Sequence, residues 1–389
     1  MIKRLLSVSV IIFLLLPCSI ISSMGLDIKE IEKPDNNLDI NSNSFPEYWN
    51  WADRNGVDWT TPAKDQGRFP YCSTFCFISV FESMIKIREN CSEFNPDLSE
   101  QYVISCIFSE EVNGTTMEFC FPYKGRNADC SEKASNWKDY FVPVEPYFYI
   151  ERANNDFIKH LLMEHGPVGI TICTPPYINF ILPFTFLGIW GKSHHSPDEY
   201  YSRNTLDIQG VDHWVTIVGW KDDPSIQNGG YWICKNSWGT DWGYNGFFNL
   251  EYGSLNSNLC EIIWFDYNPE SYNWPPIGSP KIEGLTNIEA NIEYMFNFSV
   301  IDPENDPIYY NVSWGDDSYS GWIGPYWSGE TVTLSNMWAA DGNYTVKFKT
   351  KNIDGPESYW MPEEKESNDN KNVRPIFNLI NKLINFLDK

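Results

Sequence analysis

The sequence feature that most constrains this chain is a block rich in tryptophan and glycine in its second half. It begins Lys235-Asn236-Ser237-Trp238-Gly239, and a second Trp-Gly pair and a further glycine follow closely. Asparagine followed by Ser-Trp-Gly in this setting is too particular to arise by chance. The block therefore directs attention to Asn236 and to residues elsewhere in the chain that would complete a site with it.

A histidine stands at the start of an apolar run that precedes this block. Residues 210–220 read Gly-Val-Asp-His-Trp-Val-Thr-Ile-Val-Gly-Trp, a β-branched segment that ends at a glycine and a tryptophan. Such a run predicts a buried strand, with His213 near its beginning. A lone histidine on a strand is more often a packed core residue. His213 becomes a functional candidate only together with partners.

A third block carries a candidate nucleophile. Residues 65–75 read Asp-Gln-Gly-Arg-Phe-Pro-Tyr-Cys-Ser-Thr-Phe, and Cys72 comes six positions after Gln66. From Cys72 to about Glu89 the chain contains neither glycine nor proline, which predicts a helix that begins at the cysteine. The amino end of a helix stabilises negative charge, so this position favours a reactive thiolate.

Together these blocks resemble the papain family of cysteine peptidases. The likeness comprises the Gln-to-Cys spacing, the Val-Asp-His opening of the histidine strand, the Asn-Ser-Trp-Gly block and a Leu-Ser-Glu-Gln segment at residues 98–101. It covers residues 45–266 and implies an α+β fold whose catalytic domain has two lobes, one helical and one a β-barrel. Cys72 would line one wall of the cleft between the lobes, and His213 with Asn236 the other.

The resemblance implies a role for each of these residues. The Cys72 thiolate would attack a peptide carbonyl, and His213 would protonate the leaving amine and later activate water. Asn236 would orient the His213 ring, as in the Cys-His-Asn variant of the catalytic triad. The Gln66 side chain would donate to the oxyanion together with the Cys72 backbone N–H. Trp238 would shield the His213–Asn236 bond from water.

The remaining cysteines match the family in part. The positions of Cys106 and Cys130 correspond to a family disulfide, which we therefore predict here. A second family disulfide has no counterpart, because Phe69 stands at one of its positions and no Cys-x-Gly-Gly follows Cys106. Three further cysteines leave other pairings open, since connectivity cannot be read from spacing: Cys91, Cys120 and Cys260.

The nucleophile loop also departs from the family. Pro70 and Tyr71 precede Cys72 where the family has Gly and Ser, and Ser73 follows where it has an aromatic residue. Because these residues shape the cleft, cleavage specificity does not carry over. An inserted loop contains His194-His195, which could bind a substrate's C-terminal carboxylate; solvated loop residues are the interpretation we favour.

Beyond a proline-punctuated loop at residues 268–280, the chain changes character. Short β-rich runs alternate with turns, which predicts a small β-sandwich. The segments Asp302–Pro307 and Trp314–Asp317 resemble polycystic kidney disease (PKD) domains, above all those of secreted archaeal proteins. The acidic loop could bind Ca²⁺ through oxygen ligands, although a solvated turn is the preferred interpretation. No other metal or cofactor is expected.

The two ends of the chain predict targeting and tail segments. Lys3 and Arg4, the apolar run that follows and the small residues after it indicate a signal peptide, hence secretion. The next residues are too few for the long inhibitory prosegment of the family. Near the other end, apolar residues at helical spacing predict a short amphipathic helix, too short to cross a bilayer. We favour simple packing over membrane contact for it.

These observations combine into one prediction. The chain is expected to be a secreted, monomeric cysteine endopeptidase that acts on proteins or peptides, and its formal net charge of -24 argues against nucleic-acid partners. The alternative is a papain-like binding or adhesion protein of the cell surface that has lost activity. The predicted segments are a signal peptide (1–24), a short pro or linker segment (25–44), the papain-like domain (45–267), a linker (268–279), the PKD-like sandwich (280–356), a polar linker (357–375) and the C-terminal helix (376–389).

Overall fold

The computed structural model describes residues 29–30, 45–106, 114–144, 148–173, 196–202, 213–284 and 287–361. The architecture is α+β, as predicted: a helical lobe, a lobe built on one large sheet, and a third region made of short strands. Residues 1–24, His194-His195 and the tail from residue 362 lie outside the described residues. Within the described part of the chain, no helix is both long and apolar enough to cross a membrane.

The helical lobe is organised around one central helix, α1. Thirteen of its 17 residues are buried, so it is a core element rather than a surface helix. Lys86 and Arg88 lie in its last turn, where positive charge complements the helix dipole. The elements of this lobe are α1 (Cys72–Arg88), α2 (Glu100–Cys106), β3 (Gly114–Thr116) and β4 (Phe141–Pro143).

An eight-stranded sheet forms the second lobe. Its strand order is β1-β5-β10-β6-β7-β8-β9, and β2 pairs with β7; only the β1–β5 pair is parallel. The strands β6, β7 and β8 are buried along nearly their whole length, which accounts for their apolar, β-branched sequences. The elements are β1 (Lys29–Glu30), β2 (Tyr48–Asn50), β5 (Phe148–Glu151), α3 (Asn155–Glu164), β6 (Val168–Ile172), β7 (His213–Asp222), β8 (Gly230–Lys235), β9 (Phe247–Glu251) and β10 (Glu261–Trp264).

The third region, called here the β domain, is a sandwich of short antiparallel strands. Two three-stranded sheets, β11-β13-β16 and β15-β14-β18, enclose an aromatic core, and β12 pairs with β17. Along β13 the buried and less buried residues alternate, as expected when one face of a sheet meets a core. The strands are β11 (Gly278–Glu283), β12 (Asn287–Ile288), β13 (Glu293–Ile301), β14 (Ile308–Ser313), β15 (Ile323–Tyr326), β16 (Val332–Met337), β17 (Gly342–Asn343) and β18 (Lys347–Lys351).

The β domain packs directly on the helical lobe through Trp274. This side chain is fully buried, and its ring contacts Phe94 at 4.9 Å between centroids. Its indole N–H lies 3.2 Å from Glu89 Oε1 and 2.9 Å from the Tyr267 hydroxyl, and its backbone N–H donates to Glu304 Oε1. Since Glu89 follows the last residue of α1, the β domain contacts the end of that helix opposite Cys72.

Candidate active site

Cys72 is the first residue of α1 and is 5% exposed. Tyr71 precedes the helix, and its side chain makes no capping hydrogen bond to the first turn. The first N–H groups of a helix have no partner within the helix and carry partial positive charge. The Cys72 sulfur therefore lies where the helix favours its anionic form.

His213 and Asn236 are brought together by neighbouring strands. His213 opens β7, Asn236 directly follows β8, and these strands pair antiparallel. The distance between His213 Nε2 and Asn236 Oδ1 is 2.9 Å, and the same oxygen accepts the Ser237 N–H at 2.8 Å. Because an amide oxygen only accepts, Nε2 is the donor in this bond. In the neutral ring, Nδ1 is then the basic nitrogen.

The direction of α1 relative to β7 follows from contacts at two levels. Near the start of the helix, the Cys76 thiol donates to the Val215 carbonyl at 3.2 Å. Two turns later, Met84 lies against Gly166, which precedes β6. Since β6 is antiparallel to β7, its start adjoins the later part of β7. The helix and β7 therefore run in the same direction.

This register carries Cys72 toward His213. One helical turn before Cys76 is Cys72, and two strand residues before Val215 is His213. Each step is a displacement of about 6 Å along its element. Cys72 and His213 thus lie at the same end of the packed helix and strand, with Nδ1 as the ring nitrogen that does not contact Asn236.

Trp238 covers the histidine. Its ring stacks on the His213 ring at 4.8 Å between centroids with an interplanar angle of 23°, and Trp242 packs edge-on behind it at 5.0 Å. A steric constraint explains why this block has glycine at position 246. A Cβ at Gly246, whose φ is +88°, would come within 2.2 Å of the Ala63 Cβ.

Gln66 joins the two walls of the site. Its backbone N–H donates to the Ser237 carbonyl at 2.9 Å, and its side-chain oxygen accepts from the Ser237 hydroxyl at 2.6 Å. Its side-chain nitrogen donates to the Phe69 carbonyl at 2.7 Å. An amide nitrogen has two hydrogens, so one remains for another acceptor. Sequence reasoning identified Gln66 but missed Ser237, which holds it in place.

Sequence reasoning also missed a partly buried charge cluster next to the site. Lys64 Nζ lies 2.8 Å from Glu82 Oε1, 2.7 Å from Asp97 Oδ1 and 3.0 Å from Glu100 Oε1. Glu82 also accepts from the Thr61 hydroxyl. Burial raises the pKa of Glu100 to about 7. A glutamate within the apolar sequence of α1 was the available signal, because a buried carboxylate requires a partner.

The predicted disulfide between Cys106 and Cys130 is confirmed. The three cysteines whose pairing was left open all carry thiols, and so do two further buried cysteines. Burial raises the pKa of Cys76 and Cys260 to about 12 and that of Cys120 to about 11, so these thiols are poor nucleophiles. The thiols in question are Cys91, Cys120, Cys260, Cys76 and Cys234.

The acidic loop of the β domain is only in part the solvated turn that we preferred, because Asn305, Asp316 and Asp317 are exposed but Asp302 is buried. Asp302 is 1% exposed and accepts the Asp306 N–H at 2.9 Å, because its carboxylate turns inward to close the loop. Burial raises the pKa of Asp302 to about 6 and that of Glu304 to about 8. Across the described residues, no group of three or more His, Cys, Asp or Glu side chains is arranged to hold a metal ion.

Comparisons with known proteins show what parts of this chain are similar to. Residues 107–265 match the family model described as papain family cysteine protease. A viral cathepsin of Heliothis zea nuclear polyhedrosis virus is 30% identical over 235 residues, which is 56% of this chain and 55% of the relative. The chain thus spans little more than half the length of that relative.

Two solved structures extend the comparison. The digestive procathepsin L2 proteinase from Tenebrio molitor larval midgut has 21% identity and a TM-score of 0.44, covering 57% of this chain and 69% of that one. The PKD domain of an M14-like peptidase from Thermoplasmatales archaeon SCGC AB-540-F20 has 43% identity and a TM-score of 0.22, covering 23% and 90%. The family match confirms the predicted papain-like α+β fold.

Proposed function

We propose that the papain-family cysteine peptidase domain of this chain hydrolyses peptide bonds with Cys72, His213 and Asn236 as its catalytic triad. The observation that carries the proposal is the 2.9 Å contact between His213 Nε2 and Asn236 Oδ1. It directs the other ring nitrogen away from Asn236, and the register of α1 on β7 brings Cys72 to the same end. Trp238 keeps water from the His213–Asn236 bond by covering the ring.

The chemistry follows from this arrangement. The Cys72 thiolate bonds to the carbonyl carbon, and the carbonyl electron pair moves onto oxygen. As the C–N bond breaks, protonated His213 transfers its proton to the leaving amine, which leaves a thioester on Cys72. Water then gives a proton to His213 and attacks the thioester carbonyl. The C–S bond breaks and the thiolate–imidazolium pair is restored.

The oxyanion of each tetrahedral intermediate needs donors already in position. We assign this role to the Cys72 backbone N–H and to the second hydrogen of Gln66 Nε2. Ser237 fixes the Gln66 amide by donating to its oxygen, and Phe69 fixes it by accepting from its nitrogen. Gln66 is therefore oriented before the substrate arrives.

A second candidate is a binding or adhesion protein that has lost activity. The specific observation in its favour is the bond from Gln66 Nε2 to the Phe69 carbonyl, which engages one hydrogen of the expected oxyanion donor. A second observation in its favour is the bulky Tyr71 next to Cys72. Retention of Cys, His, Asn and Gln together favours the peptidase.

The remaining parts of the chain complete the proposal. Residues 1–24 are proposed to direct secretion, and proteins or peptides outside the cell are the proposed substrates of a monomeric enzyme. We propose a PKD-type role for the β domain in positioning the enzyme, on the basis of 43% identity to the archaeal PKD domain.

Whether the acidic loop of the β domain binds Ca²⁺ is tested by adding EDTA and measuring the melting temperature Tm. A fall in Tm that added Ca²⁺ reverses would show binding.

A thiol-directed epoxide tests the triad. The purified protein is incubated with the inhibitor, and the adduct is mapped by mass spectrometry. Cys72 should be labelled, and His213→Ala should abolish the labelling while Tm stays close to that of the unmodified protein. Cys76, buried one turn away, is the internal control. Labelling of Cys72 no faster than of Cys76 would refute the triad, and a casein digestion assay with Cys72→Ser as control then addresses turnover.

A further inference from the structure

The loop that leads to Cys72 carries two stacked aromatic rings. The rings of Phe69 and Tyr71 lie 6.0 Å apart between centroids with an interplanar angle of 5°, and both are partly exposed. The Tyr71 hydroxyl donates to Asn127 Oδ1, and Asn127 lies within the loop that the Cys106–Cys130 disulfide closes. The Tyr71 ring is therefore held on one face by stacking and at its tip by a hydrogen bond.

Further contacts fix the same segment against the nucleophile loop. The Tyr123 hydroxyl donates to the Gln66 carbonyl at 2.8 Å, and the Tyr123 ring packs edge-on against Phe75 at 4.9 Å. Gly125, with φ of +56°, faces the Phe69 ring, where a Cβ would lie 3.8 Å from that ring. Residues 123–127 are thus joined to residues 66–71 at three points. Three aromatic residues and the asparagine that accepts from one of them form a surface that we call the aromatic wall: Phe69, Tyr71, Tyr123 and Asn127.

We propose that Tyr71, fixed by Asn127, determines specificity by limiting the size of the substrate side chain next to the scissile bond. The inference deepens the proposed peptidase function and rests on it. The favoured substrates have Gly, Ala or Ser at the residue whose carbonyl is attacked, and substrates with a bulky residue there are disfavoured.

The physical basis is distance and rigidity. Tyr71 directly precedes Cys72, consecutive Cα atoms are about 3.8 Å apart, and the Tyr71 ring is partly exposed. On these grounds we place the ring beside the carbonyl that Cys72 attacks. The Tyr71 ring is fixed on one face by stacking on Phe69 and at its hydroxyl by Asn127, so it cannot move aside without losing both contacts. A rigid wall discriminates by size, and even one methylene in a tight pocket changes rates by about tenfold or more.

The wall acts through size rather than through charge. Its four members are uncharged, and Arg126, in the same segment, forms an ion pair with Glu132 at 2.6 Å between Nη2 and Oε2. That carboxylate is further fixed by the Asp129 N–H. The charge of Arg126 is therefore already neutralised within the segment.

The experiment is a cleavage-site map. A peptide library is digested by the full chain and by Tyr71→Ser, Tyr71→Phe and Asn127→Ala, and cleaved bonds are identified by mass spectrometry. Each enzyme is normalised to its active fraction by titration with the thiol-directed epoxide, so that misfolded protein does not count. The matched control is Tyr319→Ser, which removes an exposed tyrosine, whose ring lies 5.9 Å from that of Trp360, from the β domain.

For Tyr71→Ser we expect kcat/KM on peptides with Phe or Arg at the attacked residue to rise about tenfold or more relative to Ala peptides. Tyr71→Phe keeps the ring and loses only the donor, so it should give a smaller rise of about threefold, and Asn127→Ala the same. Tyr319→Ser should leave the profile unchanged.

The outcomes separate this inference from the function on which it rests. If the unmodified chain cuts the library and the Tyr71 variants have its profile, the specificity role is wrong and the peptidase function stands. If the unmodified chain labels at Cys72 but prefers bulky residues, the inference is likewise wrong. If it neither labels nor cuts, both are overturned.

Discussion

The two walls of the proposed site are constructed in different ways. The wall that carries His213 and Asn236 is held by the backbone ladder between β7 and β8, with Trp238 covering it. The wall that carries Cys72 depends on side-chain contacts between segments far apart in the chain, such as Tyr71 with Asn127. The β domain packs on the far end of the same helix, α1, through Trp274.

The difference shows which part of such a site can change. A ladder fixes each residue relative to its neighbours, because a slip of one position turns every side chain to the opposite face. Side-chain contacts around a loop can be exchanged one by one while the helix keeps its direction. The histidine wall therefore preserves the chemistry, whereas the cysteine wall can acquire a new shape and a new specificity.

The largest expected effect tests whether the cysteine wall depends on the β domain. Trp274→Ala removes a fully buried indole that contacts Phe94 and donates to Glu89. We expect the free energy of unfolding to fall by about 3–5 kcal/mol. Urea unfolding followed by fluorescence gives this value, and the urea midpoint for epoxide labelling at Cys72 should fall in parallel.

Trp327→Ala is the control, because this tryptophan is 68% exposed. Its substitution should change the free energy of unfolding by no more than about 0.5 kcal/mol. If Trp274→Ala lowers stability while labelling at Cys72 keeps its midpoint, the cysteine wall folds without support from the β domain.

The second expected effect concerns the disulfide that anchors the aromatic wall. A double Cys106→Ala, Cys130→Ala variant frees the loop that contains residues 123–127. Closing a loop of this length contributes about 3 kcal/mol in the chain-entropy model. We therefore expect Tm to fall and cleavage to extend to bulkier residues beside the scissile bond. A lower Tm with an unchanged cleavage profile would show that the aromatic wall does not need the disulfide.

Local sequence predicted the elements of the site well. The absence of Gly and Pro after Cys72 predicted a helix to about Glu89, and α1 ends at Arg88. The β-branched run at His213 predicted the strand β7, and the short β-rich runs beyond residue 280 predicted a sandwich of short strands, which the β domain has. Each of these elements is set by residues close together in the chain.

What the sequence did not predict are contacts between distant residues. Nothing near Ser237 indicates that its hydroxyl donates to Gln66, and nothing near Tyr71 indicates Asn127 as its acceptor. The expectation that Asp302 is solvated was wrong for the same reason. Asp302 has the sequence of a surface turn, but its burial comes from segments packed around it, including Asn352, whose amide nitrogen lies 3.5 Å from Asp302 Oδ2.

A smaller effect is expected on the histidine wall. Trp238→Ala removes the ring stacked on His213 and admits water to the His213–Asn236 bond. An aromatic contact of this kind contributes about 1 kcal/mol, so we expect kcat/KM to fall about fivefold. Trp238→Phe keeps an aromatic ring and should recover most of the rate. Equal rates for all three proteins would show that the indole does not support catalysis.

The smallest effect is a pH dependence at the junction of the β domain with α1. Burial raises the pKa of Glu304 to about 8, and the nearby carboxylates Asp302 and Glu89 raise it further than burial alone would. The folded pKa thus exceeds the unfolded one, so the stability due to protonated Glu304 is complete below about pH 4 and is lost as pH rises through 8. Asp302 contributes in the same direction up to about pH 6.

We expect the free energy of unfolding to fall by about 1 kcal/mol between about pH 5 and pH 8, less than the full shift because the Glu304 side chain is partly exposed. Glu304→Gln keeps the shape without the charge and should flatten this slope, as measured by Tm across the pH range. Glu283→Gln, at an exposed position on β11, should keep the slope of the unmodified protein. If Glu304→Gln leaves the slope of stability against pH unchanged, the pH-sensitive groups lie elsewhere. Because Glu304 accepts the Trp274 N–H, that result would also weaken the link between the β domain and the cysteine wall.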